Sequence, residues 1–334
     1  MRTGRRLGFA VVGLGGFGMK RLKTLAKSPQ VRIVSVFDTD RSKAEKVATD
    51  FDARPQTFDA IVRDSEIDVI DIASPNKYHA EYVLAGLRAG KFVWCEKPLA
   101  TTVEEGKRIL KTAREYPQKL KVGSNVRFFP NVLKLKELIG SAIGTPMFFR
   151  GYIGNAGPIL RGTSWQTQRE LVGGGTLLDN GVHLIDLIRW LVGEVESCHA
   201  TLSNNLWRLD GLEDLAICTF ELSYGAKASM QSSWGEWVGY MYFEIYGTEG
   251  FIRSDNRFGV AKLTVGNRER TLQEYDYTSL SQVSYENELN HFLDRYSQSL
   301  EPQPNANDGY RAVRIVSACY ESARSGKNVS CLDV

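Results

Sequence analysis

"RLGFAVVGLGGFGMKRLKTLAKS", residues 6–28, holds the reading that decides the fold. Residues 6–12 form a short apolar run of the kind a buried strand needs, and helical periodicity begins after the glycines. Gly13, Gly15 and Gly18 fit G-x-G-x-x-G: the first permits a tight turn, the second lets a pyrophosphate approach the backbone, and the third lets helix pack on strand. Because the chain has 31 glycines, such a match means little without context. The next apolar run, "VRIVSVFD" at 31–38, supplies it by ending in Asp38, about 20 residues beyond Gly18, where a carboxylate would hold the ribose hydroxyls of an adenosine. The competing reading makes Asp38 a solvated cap for a helix over 41–50. Asp38 would repel a 2′-phosphate and so favours NAD; Arg41, three residues on, keeps NADP open.

The alternation continues through a strand at 67–74, a helix at 76–90, a strand at 91–96, a helix over roughly 102–115 and a strand in "KLKVGSN". That rhythm predicts a parallel sheet covered on both faces, with ligands gathering at the carboxyl ends of its strands. "FVWCEKPLA" at 92–100 and "ASPNKYH" at 73–79 then fall at the cofactor crevice. The expected cofactor contacts are Gly13, Gly15, Gly16, Phe17, Gly18, Asp38, Ser74, Pro75, Asn76, His79, Glu96 and Lys97. Pro98 stops the ladder and, if cis, turns Lys97 into the crevice. The plainer alternative is an exposed Glu96–Lys97 ion pair worth little.

The 334 residues, 43% hydrophobic, suffice for one large domain or two ordinary ones. A net charge of +3 from interspersed residues points to no nucleic-acid partner, and no apolar run reaches the ~20 residues of a membrane span. The five cysteines lie far apart in sequence without C-x-x-C spacing, which argues against zinc and disulfide frameworks and for a reducing cytoplasm. Arg5-Arg6 before an apolar stretch mimics a twin-arginine signal, but no small-residue cleavage site follows, so export is not expected.

After about residue 126 the alternation gives way to turn-spaced strands from 145 onward, predicting a largely antiparallel sheet. Domains are therefore expected over 1–126 and 127–334, with a terminal helix at about 307–325 free to pack back on the first. One stretch, "GGGTLLDNGVHLIDLIRWLVGE" at 173–194, reads as a broad apolar helix carrying unexpected polar residues. Asp179 and His183 are four apart and so share a face, with Asp186 three further on. A buried His held by a buried Asp is an oriented proton acceptor near neutral pH. A satisfied core histidine is the plainer reading; the Asp at i−4 and the glycines favour the functional one. No third ligand accompanies the pair, so no metal is expected.

Together these residues resemble the glucose-fructose oxidoreductase, inositol dehydrogenase and MocA family of NAD(P)-dependent sugar dehydrogenases. The likeness rests on Gly13-x-Gly15-x-x-Gly18, "SPNKYH" at 74–79, "CEKPLA" at 95–100, "GGGTLLDNGVHLIDLIRWLVGE" and the closing "DGYRAVRIVSACYESARSGKNV". The resemblance implies an α/β fold: an N-terminal Rossmann doubly wound parallel sheet, then an α+β domain whose large open, mainly antiparallel sheet forms a homodimer or homotetramer interface. It matches the family's E-K-P lysine to Lys97 and its D-x-G-x-H residues to Asp179 and His183. Arg127, in "NVRFFP", is expected to face substrate with Trp165, and Arg161 and Gln168 accompany Trp165. The expected reaction passes a hydride from a secondary alcohol of a cyclic polyol or sugar to NAD, with either His183 or Lys97 as base. The alternatives are an NADP-dependent reductase of another sugar or carbonyl compound and a non-catalytic sugar- or dinucleotide-sensing regulator. Trp234, Trp237, Tyr240, Tyr242 and Phe243 make the later strands rich in apolar surface, which a second copy would cover.

Overall fold

The computed structural model describes residues 5–160, 162, 164–280 and 282–333. They form two compact units. The first comprises the chain up to Ser124 together with Tyr285–Tyr310, and the second comprises Asn125–Ser284 and Arg311–Val334.

The first unit is built on six parallel strands: β1 (Leu7–Val12), β2 (Val31–Phe37), β3 (Arg54–Pro55), β4 (Val69–Ile72), β5 (Phe92–Cys95) and β6 (Leu120–Val122). Their order, β3-β2-β1-β4-β5-β6, reverses direction between β1 and β4, which is the switch point at which such sheets collect ligands. Strand residues alternate between two cores: Phe9 and Val11 point to one face, Ala10 and Val12 to the other. One component of this unit comes from far along the chain. Helix Ser284–Ser297 adds Leu289, Phe292 and Leu293 to the core of Phe9, Val11 and Trp94. It therefore belongs to the first unit although its sequence position lies deep within the 127–334 segment.

The second unit has nine strands: β7 (Pro146–Gly154), β8 (Val195–Ser203), β9 (Leu215–Leu222), β10 (Lys227–Ser233), β11 (Tyr240–Gly247), β12 (Gly250–Asp255), β13 (Lys262–Asn267), β14 (Leu272–Asp276) and β15 (Val329–Ser330). The order is β14-β13-β12-β11-β7-β10-β9-β8-β15, antiparallel except for the β7–β10 pair. In β9 the pleat buries Ala216, Cys218, Phe220 and Leu222 while Ile217, Thr219 and Glu221 point outward. Trp234 and Phe243, expected on an apolar outer face, are instead buried. Tyr242 and Tyr152 stack with ring centroids 5.0 Å apart and remain partly exposed. All five cysteines are free and buried, and Cys198, Cys218, Cys319 and Cys331, distant in sequence, share the core of this unit. Among the described residues no helix is long and apolar enough to cross a membrane.

Candidate active site

At the switch point of the first unit, Gly13 adopts φ +91°, and a side chain there would meet the Ser74 amide nitrogen at 2.6 Å. A Cβ on Gly18 would lie 1.9 Å from the Gly13 carbonyl oxygen. Gly15 and Gly16 differ: a Cβ on either meets nothing within 4 Å, so the N-terminus of helix Gly16–Ala26 opens onto free space suited to a pyrophosphate. Asp38 stands just past β2. Its Oδ2 accepts the Leu14 N–H at 2.9 Å and a hydrogen from Lys43 Nζ at 3.2 Å, while Oδ1 accepts the Asp40 N–H at 3.0 Å. Burial opposes charge on Asp38, but these donors outweigh it and hold the carboxyl below its ordinary pKa. The cap of helix Arg41–Asp50 is Asp40, which accepts the Lys43 N–H, so Asp38 is not that cap. Arg41 pairs with Glu45 in solvent. These glycines and this ionised carboxylate fit a dinucleotide.

After β5 comes the Lys97–Pro98 peptide, which is cis. Glu96, expected to touch the cofactor, gives its Oε1 to Arg21, at 2.6 and 3.1 Å, and its Oε2 to the Lys97 N–H. Arg21 also reaches Glu288 at 3.1 Å, and Glu288 binds Lys121 at 2.8 Å; Arg21 and Lys121 both lie against the face of Trp94. The turn before Lys97 is thus anchored in a buried cluster of two cations and two carboxylates. A third carboxylate, Asp71, lies 3.9 Å from Arg21, and among the described residues neither of its oxygens has a hydrogen-bond partner. Burial, with Glu96 and Glu288 adding to it, pushes the Asp71 pKa up to about 7 against the pull of Arg21. His79, also expected at the cofactor, is buried: Nδ1 lies 2.7 Å from the Pro98 carbonyl and Nε2 2.9 Å from that of Ser74. It ties the two crevice loops together. A neutral ring donates to one of those carbonyls, and burial holds its pKa below the ordinary value.

In the second unit the expected single helix is interrupted. Gly173 turns left-handed at φ 83° to end helix Arg169–Val172, a π-helical turn covers Leu177–Gly181, and a regular helix follows over Val182–Leu191. The wider turn changes the i, i+4 geometry that a regular helix would give Asp179 and His183. From Gly174 to Ile188, Asp179 and His183 are partly open to solvent and every other residue is buried. The expectation of a buried pair is corrected: these two are the partly exposed residues of an otherwise buried segment. Asp179 Oδ2 accepts a hydrogen bond from the Trp234 indole at 3.2 Å. Trp165 packs on the apolar group around Trp234, Val172 and Leu212. Arg161 lies outside the described residues. Arg127, expected at substrate, is 3% exposed and forks onto Asp186, with Nε 2.7 Å from Oδ2. Its guanidinium fixes helix Val182–Leu191 from behind.

Sequence reasoning missed Arg21, Glu288, Lys43 and Trp234. Arg21 carried a signal, since it lies with Gly18, Leu22 and Leu25 on the buried stripe of its helix, where a charge needs a partner.

Comparison with known proteins supplies the family. The model of an oxidoreductase family with an NAD-binding Rossmann fold matches residues 7–124, and the GFO/IDH/MocA C-terminal domain matches 132–253. An inositol 2-dehydrogenase of Acidothermus cellulolyticus is 30% identical over 99% of this chain and 96% of its own. One from Rhizobium meliloti is 26% identical over 96% of this chain and 98% of its own. The solved structure of a levoglucosan dehydrogenase in complex with NADH superposes with a TM-score of 0.88 at 26% identity, covering 99% of this chain and 100% of that one. With glycine turn, ionised Asp38 and both domain models in register, the chain belongs to the GFO/IDH/MocA oxidoreductase family and is an NAD(P)-dependent dehydrogenase whose Rossmann unit takes NAD.

Proposed function

We propose that this dehydrogenase oxidises a secondary alcohol of a cyclic polyol or sugar, using Lys97, Asp179 and His183 on the hydroxyl. The observation that carries the reading is the buried segment from Gly174 to Ile188, in which one carboxylate and one imidazole alone reach solvent. A chain that needed them only for packing would close over them. The inositol and levoglucosan dehydrogenases among the relatives support the substrate class.

NAD, held by the Gly13–Gly18 turn and Asp38, would supply the acceptor for the hydride of the alcohol carbon. His183 takes the hydroxyl proton, and Lys97 donates a hydrogen bond to the same oxygen as its negative charge grows. Asp179 orients His183 or holds a neighbouring hydroxyl, and its own carboxylate is steadied by the Trp234 indole. Trp165 offers an aromatic face to the apolar side of the ring. Lys43 beside Asp38 would give a 2′-phosphate a cation, so NADP belongs in the same titration. The ionised Asp38 favours NAD. The outward tyrosines of the nine-stranded sheet support pairing with a second copy, and light scattering would check it.

The test is NAD reduction against a panel of inositols, aldoses and anhydrosugars. Lys97→Met is expected to lower kcat by ~100-fold or more while NAD affinity stays within a few-fold of wild type. A fully active Lys97→Met enzyme sinks its assignment. Loss of the pH dependence of kcat in His183→Ala assigns the base to the imidazole, and its persistence assigns it to Lys97.

A further inference from the structure

We propose that Glu213 is a positioning residue: its carboxylate latches the glycine run and so fixes the π-helical turn that presents Asp179, and through it His183. The inference rests on the roles given to those two residues above.

Glu213 comes from the loop just ahead of β9 and is buried. Its Oε2 accepts the Gly175 N–H at 3.0 Å, and its Oε1 accepts the Leu177 N–H at 2.9 Å and the Tyr320 hydroxyl at 3.1 Å. The main chain joins in, because the Thr176 N–H donates to the Glu213 carbonyl at 2.9 Å. Three consecutive amides of the segment therefore end on one residue nearly forty positions away. The first amides of a helical turn have no partner within it, and Thr176, though in capping position, makes no side-chain cap bond because its hydroxyl pairs with that of Ser232 at 2.9 Å. Glu213 supplies from a distance what a local cap would.

The glycines make this possible. A Cβ on Gly174 would lie 2.1 Å from the Tyr320 hydroxyl oxygen, and one on Gly175 would lie 2.1 Å from the Glu213 carbonyl oxygen. A side chain at either place would push the latch off. On the other side of the turn, the Ser232 hydroxyl donates to the Thr176 carbonyl at 2.8 Å, so the strand beneath holds the same residue. Glycine runs are otherwise pliable, and without such ties the segment would lose the orientation that opens Asp179 and His183 while burying its neighbours.

Glu213→Gln is the discriminating change, because an isosteric amide can accept one N–H but sets its own NH2 against the other. Two readouts are needed, hydrogen exchange of the Gly174–Val182 peptide and kcat with the best substrate of the panel, both against Leu222→Ala. That control removes core volume at the far end of β9, where Leu222 pairs with Val195, and leaves every hydrogen bond of the latch in place. The expected result is faster exchange confined to Gly174–Val182 and kcat lower by about 10-fold in Glu213→Gln, with neither effect in Leu222→Ala at matched loss of melting temperature. Glu213→Asp, whose shorter carboxylate still accepts, should recover part of both, and it carries the test if the Gln variant does not fold. Unchanged exchange, or wild-type kcat in an enzyme that Asp179→Asn inactivates, overturns the positioning role and leaves the proposed chemistry standing. If Asp179→Asn is itself fully active, the chemistry is what fails, and the exchange result alone decides whether Glu213 holds the segment.

Discussion

The two units hold their proposed site residues by opposite means. Lys97 follows a turn anchored by full charges, with Glu96, Arg21, Glu288 and Lys121 forming a chain of ion pairs beside Trp94. Asp179 and His183 sit on a segment fixed by single hydrogen bonds: Glu213 accepts two backbone N–H groups, Ser232 donates to a backbone carbonyl, and the Trp234 indole donates to Asp179 itself. The difference follows from what each must resist. A buried lattice of charges is costly to assemble and has one good geometry, because every displacement leaves a charge unpaired in low dielectric. A glycine-rich π turn is soft, and several modest bonds spread along it give stiffness without a network of ion pairs. Breaking one member should therefore be catastrophic in the first unit and graded in the second.

Arg21→Met is the severest way to test that contrast. It fills much the same volume but takes the cation from Glu96 and leaves Glu288 with Lys121 alone, and removing one partner from a buried ion network costs about 3–5 kcal/mol. Denaturant unfolding should show a loss in that range, and a loss below about 1 kcal/mol would mean the cluster behaves like an exposed pair. Asp71→Asn should act in the opposite direction. Two cations already match two carboxylates, so Asp71 is the surplus acid and stays protonated up to about pH 7, well above the ~3.9 of an unfolded Asp. Its folded pKa is raised, so the stability tied to the proton is fully present below ~4 and drains away as pH climbs to about 7. The Asn variant, which never ionises, should match wild type near pH 4, pull ahead between there and neutrality, and hold a lead of roughly a few kcal/mol above pH 7. A lead that does not change with pH would show that Asp71 does not titrate in this window.

How much of this is legible in the sequence depends on whether the signal is local. Five of the six strands of the first sheet are legible, since each carries its own apolar run, and the spacing of Gly13 through Gly18 with Asp38 marks the crevice; β3, only Arg54–Pro55, is too short to carry a signal. The contacts that make the turns rigid join residues up to 267 positions apart, as Arg21 and Glu288 are, and no window of sequence contains both. Half-signals exist: Glu288 beside Leu289, on the face that buries Phe292 and Leu293, repeats the Arg21 pattern of a charge among buried residues. Two such stripes with opposite charges invite pairing. The side chain of Glu96 returns to the helix after the glycine turn, where its partner Arg21 lies 75 positions away in sequence. The polar helix keeps its expected content but not its expected geometry, because the glycines admit a π turn that hydrophobic periodicity does not resolve.

The mildest test probes the second unit at the Trp234 indole. Its N–H donates to Asp179 Oδ2 at 3.2 Å, while the rest of the ring fills a small apolar group with Val172 and Leu212. Trp234→Phe removes the donor and part of the filling, so a fall in stability alone would say nothing about the carboxylate. Trp207→Phe separates the two effects: the Trp207 indole packs on the same group but donates to the Trp234 carbonyl at 2.9 Å, not to Asp179. A hydrogen bond to a charged acceptor contributes about 1.5 kcal/mol, so kcat should drop roughly 5- to 10-fold in Trp234→Phe and stay near wild type in Trp207→Phe at similar melting temperatures. Equal kcat in the two variants would mean that Asp179 is held by the turn itself, and the graded stiffness ascribed to this unit would then reside in its backbone amides alone.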